Sequence, residues 1–144
     1  MLKLPKKVEY AILALQYIAE QDEFLVSTKE ISNHLKLSFE FLSKVMQVLN
    51  KNGIIQSQQG TKGGYKLVLQ ANELKLIDVI RAFEENINLV DCTGENSIEC
   101  IRLDNCSLRK PMLILQGKIE RIFYETSIAD LSDHSKLLNI KLEY

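Results

Sequence analysis

Cys92, Cys100 and Cys106 are the three cysteines of the chain, and all fall in one polar stretch. Seven residues separate the first two and five the last two. Around them stand Asp91, Thr93, Gly94, Glu95, Asn96, Ser97, Glu99, Asp104 and Asn105. A structural cysteine behaves as a small hydrophobe inside a core. Solvated, turn-forming surroundings instead leave sulfur available to something soft, and thiolate selects zinc, copper or iron–sulfur clusters. Two plainer readings stand beside this one. The thiols could simply be reduced and solvated, or three sulfurs with one O or N ligand could hold zinc. Zinc sites more often show closer cysteine pairs, so the wide spacing suits a larger cluster better. Three thiolates leave one position to be filled from elsewhere.

Hydrophobic residues make up 46% of the 144 positions, enough for one domain or a small module with an appended arm. No apolar run approaches the roughly 18 residues of a membrane span. Lys3, Lys6 and Lys7 lead into a helical pattern carrying Glu9 and Glu20, which is unlike a secretory leader. The expectation is a cytoplasmic protein with no membrane partner, in which thiols stay reduced and clustered cysteines bind metal or act in redox. An odd cysteine count also fits poorly with a disulfide framework. Net charge is −1, but residues 1–70 carry nine Lys/Arg against six Asp/Glu, and residues 71–144 nine against thirteen. The first half is therefore +3 and the second −4. Nucleic-acid binding needs local positive charge, not a basic whole, so this distribution permits it.

The elements that must position these groups follow from periodicity. A first helix starts at Pro5 or Lys6, since proline suits a first helical turn, with an apolar stripe of Val8, Ile12, Leu15 and Ala19. Ser27 and Glu30 form a capping box that opens a short helix through Leu35. Ser38 caps a third helix whose buried face is Leu42, Val45, Met46 and Leu49, ended by Lys51-Asn52-Gly53. Two short helices joined by a tight turn are a helix-turn-helix pattern. Ile54–Ser57 reads as a strand, Gly60–Gly64 as a turn and Tyr65–Leu69 as the return strand. A hairpin at this position makes a winged helix, with glycines that allow positive φ and close approach of backbone to phosphate. Residues 74–84 form a fourth helix, and the cysteine loop spans about 85–107. Leu108, Met112, Leu115, Ile119 and Ile122 then repeat as a heptad seam of the kind that packs helices between chains. Pro111 must lie in the first turn of that helix, and Ser127 with Asp130 is another capping pair. The tail, ending Lys141-Leu142-Glu143-Tyr144, carries little signal. The expected fold class is mainly α with a small β-hairpin wing. Its parts are a winged helix-turn-helix DNA-binding domain over 1–72, a helix with a cluster-binding loop over 73–107, and a dimerisation helix with tail over 108–144.

Glu9-Tyr10-Ala11, the Ser27-to-Leu49 helix pair, Gly60-Thr61-Lys62-Gly63-Gly64-Tyr65, Leu76-Ile77-Asp78-Val79-Ile80, the three cysteines and Ser127-Ile128-Ala129-Asp130-Leu131 together resemble the Rrf-type winged-helix transcription regulators. That family includes an iron–sulfur assembly regulator, a nitric-oxide-responsive repressor and a cysteine-metabolism repressor, and the resemblance covers almost the whole chain. It implies a homodimer with crossing C-terminal helices, which binds a double-stranded DNA operator, acts as a repressor, and senses redox state, nitric oxide or iron–sulfur status. It also implies that Cys92, Cys100 and Cys106 hold the cluster. The fourth ligand differs between branches. A histidine three residues after the last cysteine is excluded, because Arg109 stands there. A carboxylate from the first helix of the neighbouring chain matches Glu9, and because all three cysteines are present a four-iron (4Fe–4S) cubane is favoured. A further branch uses this same glutamate with a second-helix histidine, which matches His34, and only two cysteines, and implies a two-iron (2Fe–2S) cluster. Absent that resemblance, Glu9 reads as a solvated acid near a helix N-terminus, and His34 as a surface histidine.

Candidate DNA contacts are Ser38, Phe39, Glu40, Ser43, Lys44 and Gln47 on the third helix, with Gln59, Thr61, Lys62, Gly63 and Tyr65 in the wing. Lys44 suits phosphate, while Ser43 and Gln47 suit base edges. Many relatives carry arginine, which enters narrow minor grooves well, where this chain has Gln59; Lys62 supplies part of that charge. Two other functions compete. One is a regulator of the same type without a cluster, controlled by thiol chemistry or a protein partner. The other is a small iron–sulfur electron carrier, but no ferredoxin cysteine run, dinucleotide fingerprint or nucleophile–base set is present, and the wing would then be unexplained. The chain does not read as an enzyme.

Overall fold

The computed structural model describes residues 3–21, 24–83, 88–90 and 103–138. Cys92 and Cys100, most of the cysteine loop and the tail beyond residue 138 lie outside the described residues.

Helix α1 (Lys6–Glu20) starts at Pro5, whose carbonyl accepts from the Val8 and Glu9 N–H groups at 2.9 and 3.1 Å. Val8 and Leu15 of the expected stripe are buried, whereas Ile12 and Ala19 are half-buried. Val8, Ala11, Ala14, Leu15, Tyr17 and Ile18 are all buried, because α1 is touched from several sides by later elements. The two alanines let those neighbours approach closely.

Helix α2 (Thr28–Leu35) is capped by Ser27, whose hydroxyl accepts from the Glu30 N–H. The capping box is only half made: the Glu30 carboxylate accepts instead from the Tyr17 hydroxyl at 3.2 Å, tying α2 to α1. Lys36 ends α2 in the left-handed region at φ 53°, and the Leu37 N–H bonds back to the Ser32 carbonyl. Ser38 then caps α3 (Phe39–Lys51), accepting from the Phe41 N–H. Leu42, Val45, Met46 and Leu49 are buried as their spacing dictates.

The Ile54 N–H bonds to the Leu49 carbonyl, which keeps Ile54 in the helix-ending turn. Strand β1 therefore runs Ile55–Gln58, one residue later than expected, and β2 runs Gly64–Leu67, pairing Ile55 with Leu67 and Gln58 with Gly64. Val68 and Leu69 lie beyond the named strand and are exposed, although the Val68 N–H still donates to the Ile54 carbonyl at 3.1 Å. The other edge of β2 is paired too: Tyr65 and Val26 exchange both backbone bonds, at 2.8 and 3.0 Å. Glycine at 64 makes this possible, since a Cβ there would lie 2.8 Å from the Val26 carbonyl carbon and oxygen.

Helix α4 (Leu76–Phe83) buries Leu76, Ile77, Val79 and Ile80 against α1 and α3. After a 3-10 turn at Leu103–Asn105, α5 (Arg109–Glu125) packs along α4. Pro111 falls in its first turn, as required. The chain then returns to the start of α4. Leu76 N–H bonds to the Thr126 carbonyl, Ile128 N–H to the Leu74 carbonyl, and Lys75 pairs with Ser127. Ser127 and Asp130 form a complete capping box at α6 (Ile128–Ser132), which α7 (His134–Leu137) follows. Ile128 is fully buried in the same core as Leu15, Ile31 and Leu49, so segments from both ends of the chain share one interior. None of the 17 residues of α5 is buried; Ile114 is 54% exposed and Leu115 46%. No helix among the described residues is long and apolar enough to cross a membrane.

Two outcomes follow from this packing. Gly64→Ala pushes a methyl into a backbone held by two hydrogen bonds and lowers unfolding stability by about 2 kcal/mol, readable by urea denaturation; an unchanged midpoint would contradict the close approach. Burial, and then the hydrogen bond to Glu30, holds the Tyr17 phenol above its ordinary value of 10.0. A raised folded value means the contribution is complete below pH 10 and is lost as pH rises beyond it. Wild type should lose stability more steeply above pH 10 than Tyr17→Phe, and superimposable alkaline profiles would refute the link.

Candidate nucleic-acid interface and metal centre

The core-facing pattern of α3 leaves one polar side outward. Phe39, Glu40, Lys44 and Gln47 are exposed there and Ser43 is half-buried. Ser38 is exposed, but its hydroxyl oxygen already accepts the capping bond. At the wing tip Gln59, Thr61 and Lys62 are exposed. Gly63 is half-buried, and a Cβ on it would meet the Gln58 carbonyl at 2.6 Å. The close approaches that these glycines permit are to the protein's own backbone. Tyr65 sits at the base of the wing, half-buried and packed on the core.

Two residues outside the expected set belong to this surface. Asn50 accepts from the Ser57 N–H through Oδ1 at 3.1 Å, which fixes the wing against the end of α3. Lys36 is an exposed cation in the turn just before α3. Its left-handed conformation is one that glycine adopts more cheaply. A lysine at a helix C-cap, one residue before Leu37-Ser38, was the available signal.

Of the three cysteines, Cys106 is described. It is half-buried, forms no disulfide, and stands two residues before the cap of α5; its carbonyl accepts from the Arg109 N–H at 3.4 Å. The Arg109 Nε is buried with no hydrogen-bond partner among the described residues. A buried donor left without an acceptor is destabilising, more so on a charged group. An anionic acceptor within reach of that Nε would relieve the penalty, which is compatible with a negatively charged group held near this turn.

Glu9 lies in the first turn of α1, where its carboxylate is held by the Lys6 ammonium at 2.6 Å. That hydrogen bond raises the Lys6 pKa above its ordinary range. Both groups reach solvent, and exposed ion pairs of this kind exchange readily. One residue away, Lys7 donates to the Phe83 carbonyl at 3.0 Å. The first turn of α1 is thereby fastened to the last residue of α4, where the cysteine segment departs. His34 is exposed in the last turn of α2, with its ring 4.7 Å from that of Tyr17. Tyr17 lies eight residues beyond Glu9, about 12 Å along the helix axis. Within one protomer, Glu9 and His34 therefore engage different neighbours. Among the described residues no three His, Cys, Asp or Glu side chains converge as a metal site.

Residues 4–134 match the family described as Rrf2, Iron-dependent Transcriptional regulator. Similar relatives include Protein aau3 of Rhizobium meliloti (strain 1021), 32% identical over 98% of this chain and 92% of that protein. The HTH-type transcriptional regulator NsrR of Geobacillus kaustophilus (strain HTA426) is 29% identical over 99% and 98%. Among solved structures, T. potens IscR superposes with a TM-score of 0.71 at 25% identity, covering 99% of this chain and 95% of that one. CymR, the global cysteine regulator of B. subtilis, superposes at 0.78 with 24% identity over 93% and 98%, a likeness of fold. The chain, with its polar third-helix face and hairpin wing, belongs to the Rrf2 family of DNA-binding transcriptional regulators, which are not enzymes.

Proposed function

We propose that this protein is a homodimeric regulator whose affinity for an operator duplex depends on an iron–sulfur cluster held by Cys92, Cys100 and Cys106, with Glu9 of the partner subunit as fourth ligand. The observation that carries the reading is the Cys106 turn: a half-buried free thiol whose backbone carbonyl accepts from the Arg109 N–H, with the Arg109 Nε buried and without an acceptor among the described residues. The similarity to NsrR and IscR proteins over nearly the whole chain supports it. When bound, such a cluster supplies an anionic centre sensitive to oxidant and nitric oxide.

The chain's own residues do the rest. Glu9 is held only by an exposed lysine, so its carboxylate can leave Lys6 for another cation and return. Because Lys7 binds Phe83, a pull on that turn is felt by α4, which also packs on α3 and α5. His34 rests against Tyr17, about 12 Å along α1 from Glu9, which makes it a poor companion to Glu9 at one cluster and favours three thiolates with Glu9 around a four-iron cubane. On the DNA side, Lys44 and Lys62 contact phosphate while Ser43 and Gln47 read base edges. Gln59 in place of arginine weakens minor-groove attraction.

Support for a second protomer comes from α5. Of the expected seam, Leu108 and Leu115 are exposed and Met112, Ile119 and Ile122 are half-buried, while Leu113 and Ile114 add exposed apolar surface beside it. A heptad seam left partly open in this way suits a second copy of the same helix. A second reading keeps DNA binding and replaces the cluster by thiol chemistry at Cys106 or a protein partner; the likeness in fold to CymR favours it.

Protein isolated without oxygen should be coloured and contain iron and acid-labile sulfide. Cys106→Ala should lose both, together with any cluster-dependent change in DNA affinity. Iron-free, colourless protein after attempted reconstitution leaves the second reading standing. Leu115→Glu should shift sedimentation from dimer to monomer and weaken operator binding by more than tenfold; a Leu115→Glu dimer of undiminished affinity would show that α5 is not the interface.

A further inference from the structure

Phe39 is the first residue of α3, directly after the Ser38 cap, and it is 52% exposed. A single exposed apolar side chain is ordinary on a protein surface. This one is set apart by its surroundings. Glu40 next to it in the chain and Lys44 further along α3 are also exposed, and Lys36 stands in the turn before it. The next aromatic, Phe41, is accounted for, since its ring meets Tyr10 edge-on at 4.9 Å between centroids. Phe41 stays 39% exposed, whereas Phe39 has no such ring contact among the described residues and stands at the helix start, ahead of the exposed polar Glu40, Lys44 and Gln47.

In helix-turn-helix proteins the N-terminal residues of the second helix reach base edges in the major groove. The base edges there are almost entirely hydrogen-bond donors and acceptors, and a phenyl ring can pair with none of them. The exception is the C5 methyl group of thymine, an apolar knob that side chains such as phenylalanine contact. Nearby, Lys36 and Lys44 supply the positive charge that brings a phosphate backbone close to this turn, whereas an apolar partner protein would gain nothing from them.

We propose that Phe39 is a specificity-determining residue, its ring packing on the C5 methyl of one pyrimidine in each operator half-site. The inference rests on the reading of α3 as the DNA-facing helix. Thymine and 5-methylcytosine present the same methyl group, so the chemistry is shared and the experiment separates the two.

Duplexes selected from a randomised library by the anaerobically purified dimer serve as probes. Each thymine is exchanged in turn for deoxyuridine, which removes the methyl and leaves every hydrogen-bonding group in place. One position per half-site should lose affinity about fourfold, the effect of one apolar carbon. In Phe39→Ala the same exchange should have no effect, and Phe39→Leu should keep part of it. Cytosine at that position should bind weakly, and gain from 5-methylcytosine would show that either methylated base is accepted; no gain would assign the contact to thymine.

Wild-type protein that tolerates uracil everywhere overturns the proposal while leaving DNA recognition intact. So does a Phe39→Ala variant that keeps the full uracil penalty. A Phe39→Ala variant that is methyl-insensitive only because it no longer dimerises would assign the ring to a protein interface and overturn it equally. Failure to select any duplex defeats the proposed function itself, and this inference with it.

Discussion

Close packing around α1 is the constraint on which the remaining architecture depends. Ala11, Ala14 and Leu15 are wholly buried there, and α3, α4, α6 and β2 all touch the helix. Alanine at two of those positions sets how near the neighbours can lie. Interiors at this density do not stretch to accommodate a displaced helix; they shift as units. The wing is bound into the same interior, because β2 pairs with Val26 on one edge and β1 on the other. The reading surface is therefore a rigid composite of α3 and the wing, joined again at their far ends by Asn50 and Ser57.

Much of this was legible from residue order alone. The helix starts at Ser38 and Ser127, the buried face of α3 and the hairpin after it all follow from local rules of capping, period and turn chemistry. What escaped was decided by contacts far apart in sequence. Glu30 was expected to complete its own capping box, yet the Tyr17 hydroxyl, thirteen residues earlier, takes the carboxylate. The strand bounds moved because the Leu49 carbonyl claims the Ile54 N–H. The stripe on α1 includes the half-buried Ile12 and Ala19 and misses Ala11, Ala14, Tyr17 and Ile18, because no local pattern reveals how many elements will surround a helix.

The candidate site was legible in a different sense. Cysteine clustering identified the chemistry of the donors, and the family resemblance suggested their companions. Nothing in the order of residues indicated that Lys7 would hold the end of α4, or that the Arg109 Nε would be buried with no acceptor among the described residues. The first joins α1 to the end of α4, and the second belongs to the first residue of α5. Both are set by tertiary packing, which no local motif encodes.

Glu9 belongs to both cluster schemes and His34 to the two-iron scheme alone, and these attachments distinguish the pull that each would exert. A bond to Glu9 would draw on the first turn of α1, and through Lys7 on α4, whose buried Leu76, Ile77, Val79 and Ile80 leave it no room to yield by itself. The displacement would then reach α3 along a packed face. A bond to His34 would draw on the last turn of α2, beside the left-handed Lys36 that sets the angle between α2 and α3. The first route moves the reading helix as a body, and the second alters the turn that aims it. Because Lys36 already occupies a conformation unfavourable for a residue with a Cβ, that turn has less reserve against distortion. Regulation through Glu9 is the route that leaves the helix-turn-helix geometry itself intact.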